Sequence, residues 1–244
     1  MQKNTNPRMR LITAVLILLA VISQSACFFR GEKRALLPTG PVQIAFLPFN
    51  TPEGNADLRW ISMAVPVMLA SISRESEVLE PVPLWETMRF TLESTRNSRT
   101  INAGNAAYVA NWLNVKWSIM GMVSGENSEN IELLIDFIPP QDTSIPYRYI
   151  KKIRMENFDK NVRKSFDQFL NYIAAPELED SKAKHLTLPS LRQLAEAVDR
   201  EYGWTVEAQP GNSEEIVANL VQSDVRLARY LFNPNLYPIL EENR

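Results

Sequence analysis

The chain reads as an α/β protein: a mixed β-sheet with helices packed on it, followed by a small C-terminal helical module. Three observations carry this expectation. Strand-like and helix-like segments alternate over residues 42–113, two strand-like runs joined by a glycine-led turn follow at 115–138, and an amphipathic helix closes the domain at 159–174. The order strand, helix, strand, helices, hairpin, strand, helix predicts a sheet of mixed direction covered by helices.

The first run, Val42-Gln43-Ile44-Ala45-Phe46-Leu47-Pro48-Phe49, is short, apolar and rich in branched and aromatic residues. It ends in the turn-prone Asn50-Thr51-Pro52-Glu53-Gly54-Asn55 and so predicts a mostly buried strand. Ile61, Ala64, Val65, Met68, Leu69 and Ile72 then recur at spacings of three and four, one face of a helix. Pro66 sits either in a first turn after a Ser62 cap or at a kink in a longer helix beginning near Asp57. A second short strand is expected over 78–82, a short helix over 85–92 and a polar loop over 95–102. Residues 103–113 form a helix with Ala106, Ala107, Ala110 and Leu113 on its apolar side and Asn102 as cap.

The runs 115–124 and 130–138, joined by Gly125-Glu126-Asn127-Ser128-Glu129, give a hairpin signal. A third strand over 146–155 alternates Tyr147, Tyr149, Lys151 and Ile153 against Arg148, Ile150, Lys152 and Arg154, with Pro139-Pro140 making a bulge or wide turn before it. Val162, Phe166, Phe169, Leu170 and Ile173 form the apolar stripe of the helix over 159–174. Residues 175–188 are charged and poor in bulky apolar groups, which predicts a linker. Helices follow around Leu191, Leu194, Ala195 and Val198, stopped by Gly203; after Asn212 with Glu215 as a capping box; and again from Asp224. Trp204 and the aromatic cluster of Tyr230, Phe232 and Tyr237 are expected to complete a core rather than bind a partner.

The amino terminus sets the compartment. Lys3, Arg8 and Arg10 precede an apolar run over 11–23, and Gln24-Ser25-Ala26-Cys27 follows, which is the layout of an export signal over 1–26. The run is short of the roughly 20 residues that span a bilayer comfortably. With small Ser25 and Ala26 before the thiol, the segment resembles a bacterial lipoprotein lipobox, although Gln24 stands where that family usually has Leu or another aliphatic residue. The resemblance implies lipidation of Cys27, a palmitate-bearing anchor and a tether over 27–41. Cys27 is the only cysteine, so no disulfide can form within the chain. Phe28, rather than Asp, follows it, which in enteric-type sorting implies the periplasmic face of the outer membrane.

The residues over 42–174 are similar to TolB amino-terminal-like domains. Ile44-Ala45-Phe46-Leu47-Pro48-Phe49-Asn50 resembles the family opening I-A-V-L-P-F-x-N, Trp60-Ile61-Ser62 continues the match, and Trp112-Leu113-Asn114-Val115-Lys116-Trp117-Ser118-Ile119-Met120-Gly121 looks like L-G-V-x-Y-V-L-x-G. Ala64 and Asn114 stand where the family has Gly, and Asn can take the left-handed conformation a helix end needs. Related domains occur in the Tol system, in FlgO-type flagellar lipoproteins and in CsgG-type secretion lipoproteins. The resemblance implies a domain without catalytic residues.

Composition excludes other classes. Of 26 Lys and Arg, three lie before Cys27, leaving 23 against 28 Asp and Glu, and no basic run interleaved with aromatics exists to neutralise phosphates. Nucleic acid is therefore not an expected partner. His185 is the only histidine and lies in the polar linker region, so no His cluster can bind zinc and no His-assisted triad has an obvious base, and no glycine-rich phosphate loop occurs. No cofactor, metal or small-molecule substrate is expected. The sequence thus points to a lipid-anchored periplasmic adaptor that docks an unidentified envelope protein without catalysis. The alternatives are a regulator of peptidoglycan synthesis or a component of an oligomeric secretion or flagellar assembly; a periplasmic hydrolase has the least support. Within the strand over 144–155, Tyr147, Arg148, Tyr149 and Lys151 are the candidate partner contacts, because a late strand tends to lie at a sheet edge.

Overall fold

The computed structural model describes residues 41–242, apart from 53–54, 75, 77, 97, 128, 140–146 and 174–186. The export signal, Cys27, the tether, His185 and nearly all of the 175–188 linker lie outside the described residues. In chain order the elements are β1 (Val42–Asn50), α1 (Ala56–Arg59), α2 (Ile61–Ser73), β2 (Leu79–Pro81), α3 (Leu84–Thr95), α4 (Ala103–Trp112), β3 (Trp117–Asn127), β4 (Asn130–Ile138), β5 (Tyr147–Ile153), α5 (Phe158–Tyr172), α6 (Leu188–Tyr202), α7 (Glu214–Leu231) and α8 (Ile239–Glu242).

The five strands form one sheet in the order β2-β1-β3-β4-β5. β1 is parallel to β2 and to β3, and β3, β4 and β5 are antiparallel neighbours. The α/β expectation holds. From β1 the chain crosses to β2 on one side, and from β2 it crosses back over β1 to β3. Right-handed crossovers in opposite directions put α2 on one face of the sheet and α3 with α4 on the other.

Helix α5 returns to the α2 face through an aromatic stack. Phe169 stacks on Phe137 of β4 at 4.2 Å and meets Trp117 of β3 edge-on at 5.2 Å, while Tyr172 stacks on Tyr147 of β5 at 4.7 Å. Such pairs contribute about 0.5–1.5 kcal/mol each beyond the area they bury.

Local chemistry explains the element ends. Asn102 and Asn105 form a reciprocal capping box at the start of α4. At its end Asn114 is left-handed (φ 53°), and Val115 N–H donates to the Ala110 carbonyl at 3.0 Å in a Schellman closure. Gly121 is required in β3, because a Cβ there would come within 2.3 Å of the Phe49 ring and 2.1 Å of the Leu134 carbonyl oxygen.

Two expected caps are corrected. Ser62 lies inside a helical stretch that starts at Ala56 and is interrupted only at Trp60, and its hydroxyl donates to the Phe49 carbonyl at 2.6 Å, tying α2 to β1. Pro66 is accommodated inside α2, having no N–H to give the Ser62 carbonyl. Asn212 donates to Gln209 instead of capping, and Ser213 precedes α7 with no side-chain capping bond.

The C-terminal helices share one hydrophobic cluster with the sheet domain. Trp204, Tyr230, Phe232 and Tyr237 are buried in it, as the aromatic pattern suggested. α6 packs on α2, and α7 touches both α2 and α3, which lie on opposite faces of the sheet, so it straps the two helical layers together. Its anchor is Asp224. Arg74, at the end of α2, donates to both Asp224 carboxylate oxygens at 3.1 and 2.6 Å. Asp224 itself leaves the helical conformation (φ −158°, ψ 80°) and accepts from Leu227 N–H at 2.9 Å, capping the second half of α7.

Candidate functional site

The register of β3, β4 and β5 organises the face opposite α5 into three rows. Met120, Asp136 and Arg148 are aligned in the first, Met122, Leu134 and Ile150 in the second, and Ser124, Glu132 and Lys152 in the third. The first row is largely covered, for α4 packs against β3 and β4 and Met120 and Asp136 are buried. The second is not: Met122 is 42% and Ile150 54% exposed. An apolar row aligned across three strands, open to water and reaching the sheet edge, is the kind of surface a partner covers.

Charge frames that row. Arg148 donates from Nε and Nη2 to the two Asp136 carboxylate oxygens at 2.6 and 2.8 Å, and this bond holds the Arg148 guanidinium above its already high ordinary pKa. The pair ties the Arg148 side chain of β5 to β4, one row from Ile150. Lys152 stands on the other flank and is exposed.

The expected contact residues divide between the two faces. Tyr149 is buried, its hydroxyl donating to Asn161 of α5 at 3.4 Å, and Tyr147 is half-buried against Phe137 and Tyr172. Burial pushes both tyrosine hydroxyls above their ordinary value. These two side chains pack the α5 side and are not open contacts. The alternation was legible, but it does not say which of its two faces a helix covers. Arg148 and Lys151 are exposed on opposite sides of β5, and β5 lies at the margin of the sheet. Ile150, Met122 and Leu134 were missed. Their signal was that Leu133-Leu134 and Met122-Val123 place apolar groups on both faces where one-sided strands would alternate.

At the carboxyl ends of β1 and β3, where doubly wound sheets bind ligands, the described loops are tied to one another. Asn50 donates to the Ile101 carbonyl at 2.7 Å and accepts from Ile101 N–H at 2.9 Å, while Asn55 donates to the Gly125 carbonyl at 3.3 Å. A separate cavity of about 310 Å³ lies between α1 and α6, lined by Arg59, Trp60, Glu196, Asp199, Arg200 and Glu207 among others. Asp199 accepts from Thr205 N–H at 2.8 Å and from the Thr205 hydroxyl, so it holds the turn after α6. Burial raises its pKa, and its hydrogen bonds to Thr205 together with nearby Arg59 and Arg99 oppose that rise. Glu201 is similarly engaged, accepting from Tyr237 at 2.6 Å and from Gly211 N–H at 3.2 Å; with burial, the bond pushes the Tyr237 hydroxyl up to about 12. These carboxylates position backbone.

No helix among the described residues is long and apolar enough to cross a membrane. No family model and no curated protein matches the chain, so the TolB-type resemblance rests on the quoted residues alone. Solved structures similar to it include the LpoB C-terminal domain from Escherichia coli, at 10% identity and TM-score 0.36 over 49% of this chain and 87% of that chain. The LpoB C-terminal domain from Salmonella enterica is similar at 11% identity and TM-score 0.34, over 48% and 85%. A PelC dodecamer from Paraburkholderia phytofirmans is similar at 11% identity and TM-score 0.34, over 57% and 96%. Likenesses this distant leave the functional reading to the chain's own residues.

Proposed function

We propose that the protein is a lipid-anchored, non-catalytic docking protein of the bacterial cell envelope, held through Cys27 at the periplasmic face of the outer membrane. Its sheet domain binds a protein partner through the open half of the β3-β4-β5 face. The observation that carries this reading is the Met122–Leu134–Ile150 row, with two members about half exposed and aligned in register. A sheet face that exposes apolar groups in a contiguous row, beside a pre-organised Arg148–Asp136 pair, has the apolar centre and charged rim of an interface. The same surface would serve an assembly factor or a regulator of peptidoglycan synthesis, since both act by docking.

Crosslinked pull-down of the anchored protein from intact envelopes tests the reading. A defined envelope protein should be recovered with the native chain and lost with Met122→Lys/Ile150→Lys, while the variant keeps its fold by circular dichroism. Recovery of peptidoglycan synthases would select the regulator, and Tol or flagellar components the assembly factor. Undiminished recovery by the double variant would sink the surface assignment. Labelling with a clickable palmitate, abolished by Cys27→Ser, tests the anchor separately.

A further inference from the structure

The proposed docking role leaves open what kind of partner segment the open face takes, and the outer edge of β5 narrows it. Among the described residues no strand pairs with that edge, so it presents main-chain donors and acceptors over the 7 residues Tyr147–Ile153. Lys151 and Lys152 make no ion pair within 4 Å among the described residues, though Glu132 of β4 stands opposite Lys152; Arg148 is half exposed beyond its bond to Asp136, and Arg154 meets Glu156 only at 3.8 Å with both side chains exposed. From Tyr147 to Arg154 the strand itself thus carries four basic and no acidic side chains, with Asp136 and Glu132 of β4 inward of it, on a chain whose mature balance is acidic.

Lysines on an edge strand commonly guard against pairing. A guard alone does not account for Ile150, which stands 54% exposed between Arg148 and Lys152 and continues the row from Met122 and Leu134 to the margin. Self-pairing fits poorly: an antiparallel pair of β5 strands centred on Ile150 would set Arg148 opposite Lys152 of a second copy at both ends, and like charges directly opposite destabilise a ladder. A strand with acidic residues flanking an apolar one meets each need, giving main-chain bonds to the edge, a carboxylate beside Arg148 and Lys152, and an apolar side chain beside Ile150. We propose that β5 takes an extended acidic segment of a partner protein by antiparallel strand addition, with an acid-apolar-acid spacing on the open face and a further acid beside Lys151. This rests on the docking role proposed above and specifies its partner chemistry.

The test uses the full-length protein in detergent and a fluorescent peptide, Val-Glu-Glu-Val-Thr-Glu-Thr, capped at both ends and matched to the length of β5. Anisotropy should report binding that weakens with salt and falls about tenfold or more with Lys151→Glu/Lys152→Glu, exposed positions where the fold should persist. A peptide with Lys in place of Glu should bind that variant better than it binds the native chain. Methylating alternate peptide amides should abolish binding, and hydrogen exchange of the β5 amides should slow when the unmethylated peptide is bound. The proposal is overturned if neither peptide binds, if charge is immaterial, or if amide methylation has no effect. It is equally overturned if the edge is occupied by a second copy, seen as a doubled mass lost in Ile150→Lys, or by vesicles of phosphatidylglycerol in place of the peptide. Failure of the peptide with continued Ile150-dependent recovery of an envelope protein removes strand addition alone; loss of both removes the docking role too.

Discussion

The two margins of the sheet are built in opposite ways. At one, β2 has only 3 residues and ends in Pro81, and α2, which packs on it, is held to α7 by the Arg74–Asp224 pair. At the other, β5 has 7 residues, is tied down by aromatic packing on its α5 side, and leaves Arg148, Ile150 and Lys152 exposed on the other. Short length and proline are ordinary means of closing an edge. Their concentration at β2 shows that this fold can close a margin, which makes the open one at β5 a feature to be explained.

The difference can be broken from the closed side first. Phe232, fully buried where α7 ends, should cost about 3–5 kcal/mol when changed to Ala, measured by denaturant unfolding. If Phe232→Ala is nearly neutral, the strap is not part of the cooperative fold. Arg74→Ala should cost less, about 1–3 kcal/mol, because both partners of the pair are less than a quarter exposed and Asp224 would be left without its guanidinium. A double-mutant cycle with Asp224→Asn would return a coupling of the same sign if the pair holds the strap.

A pH series sharpens the comparison further. Asp199 has a folded pKa raised above its ordinary value of 3.8, mainly by burial. Its ionisation therefore opposes folding: the penalty is absent below 3.8 and grows as pH rises from there through the raised folded value. Native stability relative to Asp199→Asn should accordingly decline across that window and level off above it. A flat difference would mean that the Thr205 bonds and the arginines cancel burial completely. The smallest effect belongs to the open margin, where Ile150→Lys should change stability by no more than about 0.5 kcal/mol. A larger loss would make Ile150 a packing residue and remove it from the interface.

Much of this was legible in the sequence wherever a single residue decides local backbone. Asn102 capped, Asn114 and Gly203 took left-handed conformations, and the α5 stripe from Val162 to Ile173 was buried as its spacing required. Ser62 and Asn212 misled because their side chains found other partners, the Phe49 carbonyl and Gln209. Tyr147 and Tyr149 were on the correct strand, but which face α5 would cover depends on chain crossings that period-two alternation does not encode. The Met122–Leu134–Ile150 row depends on register between three strands, and the α7 strap joins Arg74 to a residue 150 positions away. Both are products of tertiary pairing.

Site-specific photocrosslinking in intact cells tests the open face most directly. A photoreactive residue in place of Ile150 or Met122 should trap one envelope protein, whereas the same residue in place of Leu236, 49% exposed on the C-terminal module, should trap none of it. Equal trapping at Leu236, or none at Ile150 and Met122, would contradict the assignment.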